Sequence, residues 1–279
     1  MAVVAPAGPF DREYMFPGLA WLRTRYRLRL TSSILTRTGY FAGDDARRIA
    51  EVGSAMEAPE VEAVYCARGG YGAMRILDAL PWSSFAARPK WIIGFSDVTA
   101  LHVLASAHGV CSVHAPNVTG LGRGITAAER ASLIASLEGL PRAPWRGLDI
   151  IHRGPDAAGP VVGGNLALLA AMAAGGRLVV PDGALLLIED VTERPYRIDR
   201  MLTALALGGH LQRAGAIVFG DFTECDPLPD GVTVREVLAD RTRTLGIPVV
   251  AGAPFGHGAP NHAFVLGARA ELRDTTLSF

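Results

Sequence analysis

The chain has 279 residues, 49% of them apolar and 19% charged, and its 27 basic side chains balance 27 acidic ones. Such a chain buries a full core and forms one large domain or two of ordinary size; it is not a disordered segment. A formal net charge of zero argues against a surface built for nucleic acid or an anionic membrane.

Val3 to Ala5 reads as a first strand, entered without a basic and apolar leader before it. Pro17 to Tyr26 reads as a helix with Pro17 in its first turn, and Arg27 to Leu30 as extended chain. Asp44 to Met56 is helical in period: Asp44 or Asp45 can cap it, and Ile49, Val52 and Met56 recur on one face. Val61 to Cys66 is a strand that ends in Arg68-Gly69-Gly70-Tyr71-Gly72. Trp91 to Phe95 is another, followed by a helix over Val98 to Ala107. Strands alternating with helices predict right-handed βαβ units and a parallel sheet.

The stretch 141–160 is rich in Pro, Gly and charge and reads as a linker between an N-terminal α/β domain over 1–140 and a second domain over 161–279. In the second domain, Leu185 to Ile188, Ile217 to Phe219, Val249 to Ala251 and Ala263 to Leu272 are strand-like. Tyr196 to Leu207 and Val234 to Arg243 are helical, the latter with Thr233 as a cap. No apolar run approaches the roughly 18 residues of a membrane span; Leu166 to Ala174 comes nearest. Three cysteines with no CxxC pattern fit a reducing compartment or a periplasm without structural disulfides. The expectation is a soluble, cytoplasmic protein.

Four stretches carry candidate chemistry. In Gly94-Phe95-Ser96-Asp97-Val98 a strand turns into a helix at a serine. That is the layout of a nucleophile elbow, although Val98 stands where the usual motif has glycine. Ser-Asp before an apolar helix is equally an N-cap pair. The glycines at 69, 70 and 72 let backbone N–H groups approach a ligand, but they match neither a P-loop nor G-x-G-x-x-G. A tight turn is the plain alternative. Gly120-Leu121-Gly122-Arg123-Gly124 reads as a flexible loop. Glu189 and Asp190 close an apolar strand, where acidic side chains often face a site; they could instead pair with Arg194, Arg197 or Arg200.

Among seven histidines, His257 stands between Gly256 and Gly258, unhindered and suited to reach a substrate, or simply a surface histidine. His262 is its competitor, and His102 and His108 lie on an apolar helix. Cys66, inside a strand, reads as core rather than as a nucleophile. No HExxH or comparable ligand spacing suggests a metal. Ser96, Glu189 and His257 occur in the chain order of one known class of serine hydrolases, which by itself is weak support because triads recur on unrelated folds.

At these residues the sequence resembles the LD-carboxypeptidase family of serine peptidases, which includes muramoyl-tetrapeptide carboxypeptidases and microcin C self-immunity peptidases. The matching stretches are Val4 to Pro9, Ala67 to Gly72, Gly94 to Leu101, Gly163 to Leu166, Glu189 to Val191 with Pro195 to Arg200, and Phe255 to Gly258. The resemblance implies an N-terminal parallel α/β domain of flavodoxin-like or amidotransferase-like type and a smaller β-rich C-terminal domain. It implies Ser96 as nucleophile, His257 as general base, Glu189 as its partner, and an oxyanion hole of the Gly70 and Asp97 amides. It further implies a cofactor-free hydrolase that releases a terminal D-amino acid from a peptidoglycan tetrapeptide in murein recycling, and a homodimer.

Arg68, Arg197 and Arg200 are candidates to anchor a terminal carboxylate, because guanidinium pairs with it bidentately, and Tyr71 is a further candidate to bind substrate. Arg197 and Arg200 could instead brace the Glu189-Asp190 strand end. The chain departs from the family at Ala7, where a small hydroxyl residue is usual, and at Thr192-Glu193-Arg194, which replaces a turn richer in glycine. It lacks the long insertion with which some microcin-type members hold a nucleotide, which favours a muropeptide. The rival readings are a microcin C-like peptidyl-nucleotide amidase, a non-catalytic protein that binds a small ligand in its cleft, and a cysteine-dependent enzyme using Cys66.

Overall fold

The computed structural model describes residues 1–225 and 231–279. The chain divides into two compact units, 1–138 with 262–265 and 139–261 with 266–279.

In the first unit the helices are α1 (Arg12–Arg23), α2 (Asp45–Glu57), α3 (Ala73–Ile76), α4 (Trp82–Ala87), α5 (Thr99–Ala107), α6 (Val118–Arg123) and α7 (Ala127–Glu138). Strands β1 (Ala2–Val4), β2 (Ala63–Cys66), β3 (Trp91–Gly94) and β4 (Ser112–His114) stand in that order in one sheet. The pairs β1–β2, β2–β3 and β3–β4 are all parallel. These strands are apolar on both faces because helices cover both. The Tyr65 side chain is wholly buried, and its hydroxyl donates to Pro116 O at 2.8 Å.

Asp44 caps α2 by accepting from the Arg47 amide at 2.7 Å. Helix α1 begins earlier than Pro17 would suggest, so that proline lies inside the helix and not in its first turn. The expected loop at Gly120–Gly124 is instead largely helix α6, packed backbone to backbone on α1. A Cβ at Gly122 would meet Tyr14 O at 1.6 Å, and one at Gly18 would meet Val118 O at 2.1 Å. Glycine there permits helix–helix approach; it does not signal flexibility.

In the second unit the strands are β5 (Asp149–His152), β6 (Ala157–Asn165), β7 (Ala184–Val191), β8 (Ala214–Thr223) and β9 (Val249–Ala251). Helices α8 (Leu166–Ala174), α9 (Pro195–Leu207) and α10 (Val234–Thr242) connect β6 to β7, β7 to β8 and β8 to β9. The four strands β6, β7, β8 and β9 run parallel. Thr233 and Glu236 form a reciprocal capping box on α10.

The expected linker 141–160 therefore holds β5 and the first part of β6. Charged neighbours and a bulge between Ile150 and His152 hide the strand alternation there. The expected strand Ala263–Leu272 is two. Its first part, β10 (Phe264–Leu266), joins the first sheet beside β4. The second part, β11 (Arg269–Arg273), pairs antiparallel with β6 and with β12 (Thr276–Ser278). Gly267, at φ +87°, makes the turn between them. No helix among the described residues is long and apolar enough to cross a membrane.

Candidate active site

Parallel α/β sheets bind ligands at the carboxyl ends of their strands, and in the first unit those ends carry Pro6–Pro9 after β1, Gly69–Gly72 after β2, Ser96 after β3 and Asn117 after β4. Ser96 has φ +66°. An L-residue in the left-handed region costs about 1–2 kcal/mol and persists only where its surroundings over-determine it. The turn 96–98 is 3₁₀, with Phe95 in its N-cap position and Val98 in that of α5, so Ser96 is the N-cap residue of neither. Asp97 reaches to another helix: buried, its Oδ2 accepts from the Ala73 amide at the start of α3 at 2.8 Å. Burial pushes its carboxyl up to about 6, against the pull of the Ala73 and Gly72 amides and of Arg48.

The glycine loop lies directly on this turn. A Cβ built on Gly69 would stand 2.9 Å from Ser96 Cβ, 3.1 Å from its Oγ and 3.3 Å from the Asp97 nitrogen. The loop is held from behind by Arg48, whose side chain is fully buried and whose Nη1 donates to Pro6 O and Gly72 O, each at 2.7 Å. Its guanidinium also pairs with Asp45 and lies 4.6 Å from the Phe41 ring centroid. The sequence offered no sign of Arg48, since an arginine on an amphipathic helix ordinarily faces water. Arg68 is exposed and donates to Pro9 O at 2.5 Å. Tyr71 is exposed and leans on Tyr40 and Phe41, with ring centroids 5.9 and 5.7 Å away.

In the second unit Glu189 and Asp190 are both buried, and successive strand residues point to opposite faces. This separates their roles. Asp190 accepts from Asn165 Nδ2 at 2.7 Å and from the Ala167 and Val191 amides at 3.0 and 2.8 Å. It secures the β6–α8 corner, and burial raises its carboxyl to about 6. Glu189 faces the other way, where its Oε2 accepts from His257 Nδ1 at 2.7 Å. A proton on Nδ1 leaves Nε2 with its lone pair.

Gly256 brings His257 there, at φ +130° with its Cα against Glu189 and Asp221; an added Cβ would lie 3.2 Å from the Cβ of each. Arg197 contacts Glu193 at 3.6 Å and Tyr196 Oη at 3.2 Å. Asp190 is bonded by Asn165 and two amides and Glu189 by His257, while Arg197 turns to Glu193 and Tyr196, so the bracing alternative is not what Arg197 does. Arg200 is an exposed residue of the same helix. His262 lies in the first unit.

Cys66 is buried, and desolvation pushes its thiol far above the ordinary range, the opposite of an activated nucleophile. Among the described residues, no group of three His, Cys, Asp or Glu side chains could hold a metal ion.

Comparison with known proteins agrees with this architecture. Residues 1–115 match the LD-carboxypeptidase N-terminal domain and residues 158–272 the LD-carboxypeptidase C-terminal domain. This chain belongs to the LD-carboxypeptidase family. The murein tetrapeptide carboxypeptidase of Pseudomonas aeruginosa is 32% identical over 99% of this chain and 94% of its own length. The crystal structure of a muramoyltetrapeptide carboxypeptidase from Oxalobacter formigenes superposes with a TM-score of 0.89 at 29% identity, covering 99% of this chain and 97% of that one. The microcin C7 self-immunity protein, in an inactive-mutant apo state, has a TM-score of 0.90 at 20% identity, covering 100% of this chain and 94% of that one; it shares the fold. LD-carboxypeptidase membership makes the chain a peptidase by family.

Proposed function

We propose that this LD-carboxypeptidase is a serine-type enzyme that hydrolyses the amide before a terminal D-amino acid of a murein tetrapeptide, with Ser96, His257 and Glu189 as its catalytic residues. The observation that carries the reading is the 2.7 Å bond from His257 Nδ1 to Glu189 Oε2. An imidazole so held presents Nε2 for proton transfer, which is the role of the histidine in a serine triad. The left-handed Ser96 at the end of β3 is the matching nucleophile, since a strained strand-to-helix turn exposes the hydroxyl.

In the first step Ser96 Oγ attacks the amide carbonyl carbon while His257 Nε2 takes the hydroxyl proton. The Gly70 and Asp97 N–H groups receive the oxyanion, each donor contributing about 3 kcal/mol. Collapse breaks the C–N bond, and His257 returns the proton to the departing amine of D-alanine. Water, deprotonated by His257, then cleaves the acyl-enzyme and restores Ser96. Throughout, Glu189 holds the Nδ1–H and stabilises the imidazolium.

Arg68, Tyr71, Arg197 and Arg200 are the side chains we assign to substrate, with a guanidinium on the terminal carboxylate. The reading places a homodimer in the cytoplasm, acting on recycled muropeptides. The P. aeruginosa relative's name supports this substrate over a peptidyl-nucleotide.

Mass spectrometry of the purified protein, incubated separately with a tetrapeptide ending in D-alanine and with a peptidyl-nucleotide, tests the assignment. Loss of one alanine from the first, absent in Ser96→Ala, is the expected result. Turnover of the nucleotide alone would move the substrate to the microcin class, and wild-type-like release by Ser96→Ala would overturn the nucleophile.

A further inference from the structure

His102 is a buried imidazole that the reaction does not use. It lies on α5 among apolar neighbours, with 2% of its surface exposed. Both of its ring nitrogens are engaged, Nε2 with Gly94 O at 2.9 Å and Nδ1 with Ser112 Oγ at 2.8 Å. A carbonyl oxygen only accepts, so Nε2 carries the proton and donates to Gly94. Nδ1 is then the acceptor, and the Ser112 hydroxyl donates to it. This order of donors requires a neutral ring, and burial depresses His102 to about 4.

Gly94 is the last residue of β3, two positions before Ser96. Its carbonyl also receives the Ala115 amide at 3.1 Å, so the peptide leaving the sheet is held from β4 and from α5 together. Phe95, the residue between, is held by Asn117, whose Oδ1 accepts from the Phe95 amide at 3.3 Å. The left-handed conformation of Ser96 begins immediately beyond these restraints.

We propose that His102 is a positioning residue for Ser96: through the Gly94 carbonyl, which sets its Nε2–H tautomer, and with its ring held by Ser112, it fixes the direction in which β3 delivers the serine. The inference rests on the assignment of Ser96 as nucleophile, but its structural half is measurable without turnover. The chain of contacts Ser112–His102–Gly94–Ser96 lies within the first unit.

The test compares His102→Leu, His102→Gln and Ser112→Ala with the parent protein. Gln places an N–H donor close to the position of Nε2, whereas Leu fills the space and donates nothing. Two measurements are made on folded protein. One is the rate of covalent labelling of Ser96 by a fluorophosphonate, separated into its maximal rate and its half-saturating concentration. The other is the Ser96 Cα and Cβ chemical shifts, which report its backbone conformation.

Leu is expected to lower the maximal labelling rate about 10- to 100-fold at unchanged half-saturation and to move the Ser96 shifts; Gln restores both to within about threefold. A Leu variant with parent-like rate and shifts would overturn the proposal. Should Leu fail to fold, Ser112→Ala decides. That variant removes the hydroxyl that holds the ring and keeps the Nε2 donor: a lower maximal rate with moved Ser96 shifts supports positioning, and parent-like rate and shifts remove it. If the parent is not labelled at all, the nucleophile assignment falls. A Ser96 shift that moves in Leu and returns in Gln still establishes the structural half.

Discussion

Gly69 stands against Ser96 so closely that a single added methyl would lie 2.9 Å from the serine Cβ and 3.1 Å from its Oγ. Gly69 is not among the residues with positive φ, so its backbone tolerates alanine and the conflict is purely steric. Gly69→Ala is therefore expected to fold with a stability loss of about 1–3 kcal/mol from overpacking. Peptide release should fall about 100-fold, because a displacement of the reacting atoms near 1 Å has that effect. Steady-state kinetics beside a thermal melt check it. Full activity in Gly69→Ala would mean that the glycine loop does not shape the nucleophile turn.

The Asp97 carboxyl, buried and pushed up to about 6, makes a pH prediction whose sign is definite. Its folded value lies above the roughly 3.9 of an unfolded aspartate, so between pH 4 and 6 the folded state binds the extra proton. Its contribution to stability is present below pH 4 and is lost as pH rises through 6. Asp97→Asn removes that titration while keeping an oxygen for the Ala73 amide. Relative to the parent, the variant should gain on the order of 3 kcal/mol between pH 4 and pH 7. Urea unfolding of both proteins across that range measures it. Parallel stability curves would show that Asp97 is not titrating in the fold.

Cysteine chemistry can be separated from serine chemistry with one reagent. Cys66 is buried with its thiol raised by desolvation, Cys225 is pushed up to about 11, and Cys111 is the half-buried member of the three. Iodoacetamide on the native protein should modify Cys111 first and leave peptide release intact. Inactivation in step with Cys66 alkylation would revive the thiol mechanism.

What could be read from the chain without coordinates was local. Apolar runs ending in Gly-rich turns marked β2 and β3, and Asp44 and Thr233 marked helix starts, because each signal sits within a few residues of the feature it specifies. Glu189 stood out at the end of an apolar strand and His257 between two glycines. Their contact, across 68 positions of sequence, did not; the resemblance alone preferred Glu189 to Asp190, and the physical reason lies in which face of β7 each occupies. Arg48 escaped notice, and His102 was read only as a histidine on an apolar helix, for the same reason: their partners Gly72, Pro6, Gly94 and Ser112 come from other segments. Glycines 120–124 misled because close helix packing and loop flexibility select the same residue.

The bond between Glu189 and His257 gives the sharpest prediction for the second unit. Glu189 is fully buried, and its Oε2 accepts the Nδ1 proton. In Glu189→Gln the side-chain amide can present N–H where the carboxylate accepted, which favours the opposite tautomer, with the proton on Nε2 where the reaction needs a lone pair. The fold has little reason to change, since volume and shape are conserved. Turnover should drop roughly 10³- to 10⁴-fold, by analogy with serine triads whose acid is made an amide, and KM should change little because Glu189 is not assigned to substrate. Glu189→Ala separates tautomer from packing: it leaves a cavity beside His257 and should cost both activity and stability. Kinetics on both variants, with a ¹⁵N spectrum of His257 to read the tautomer, decide the matter. Activity of Glu189→Gln within tenfold of the parent would show that His257 acts without its carboxylate.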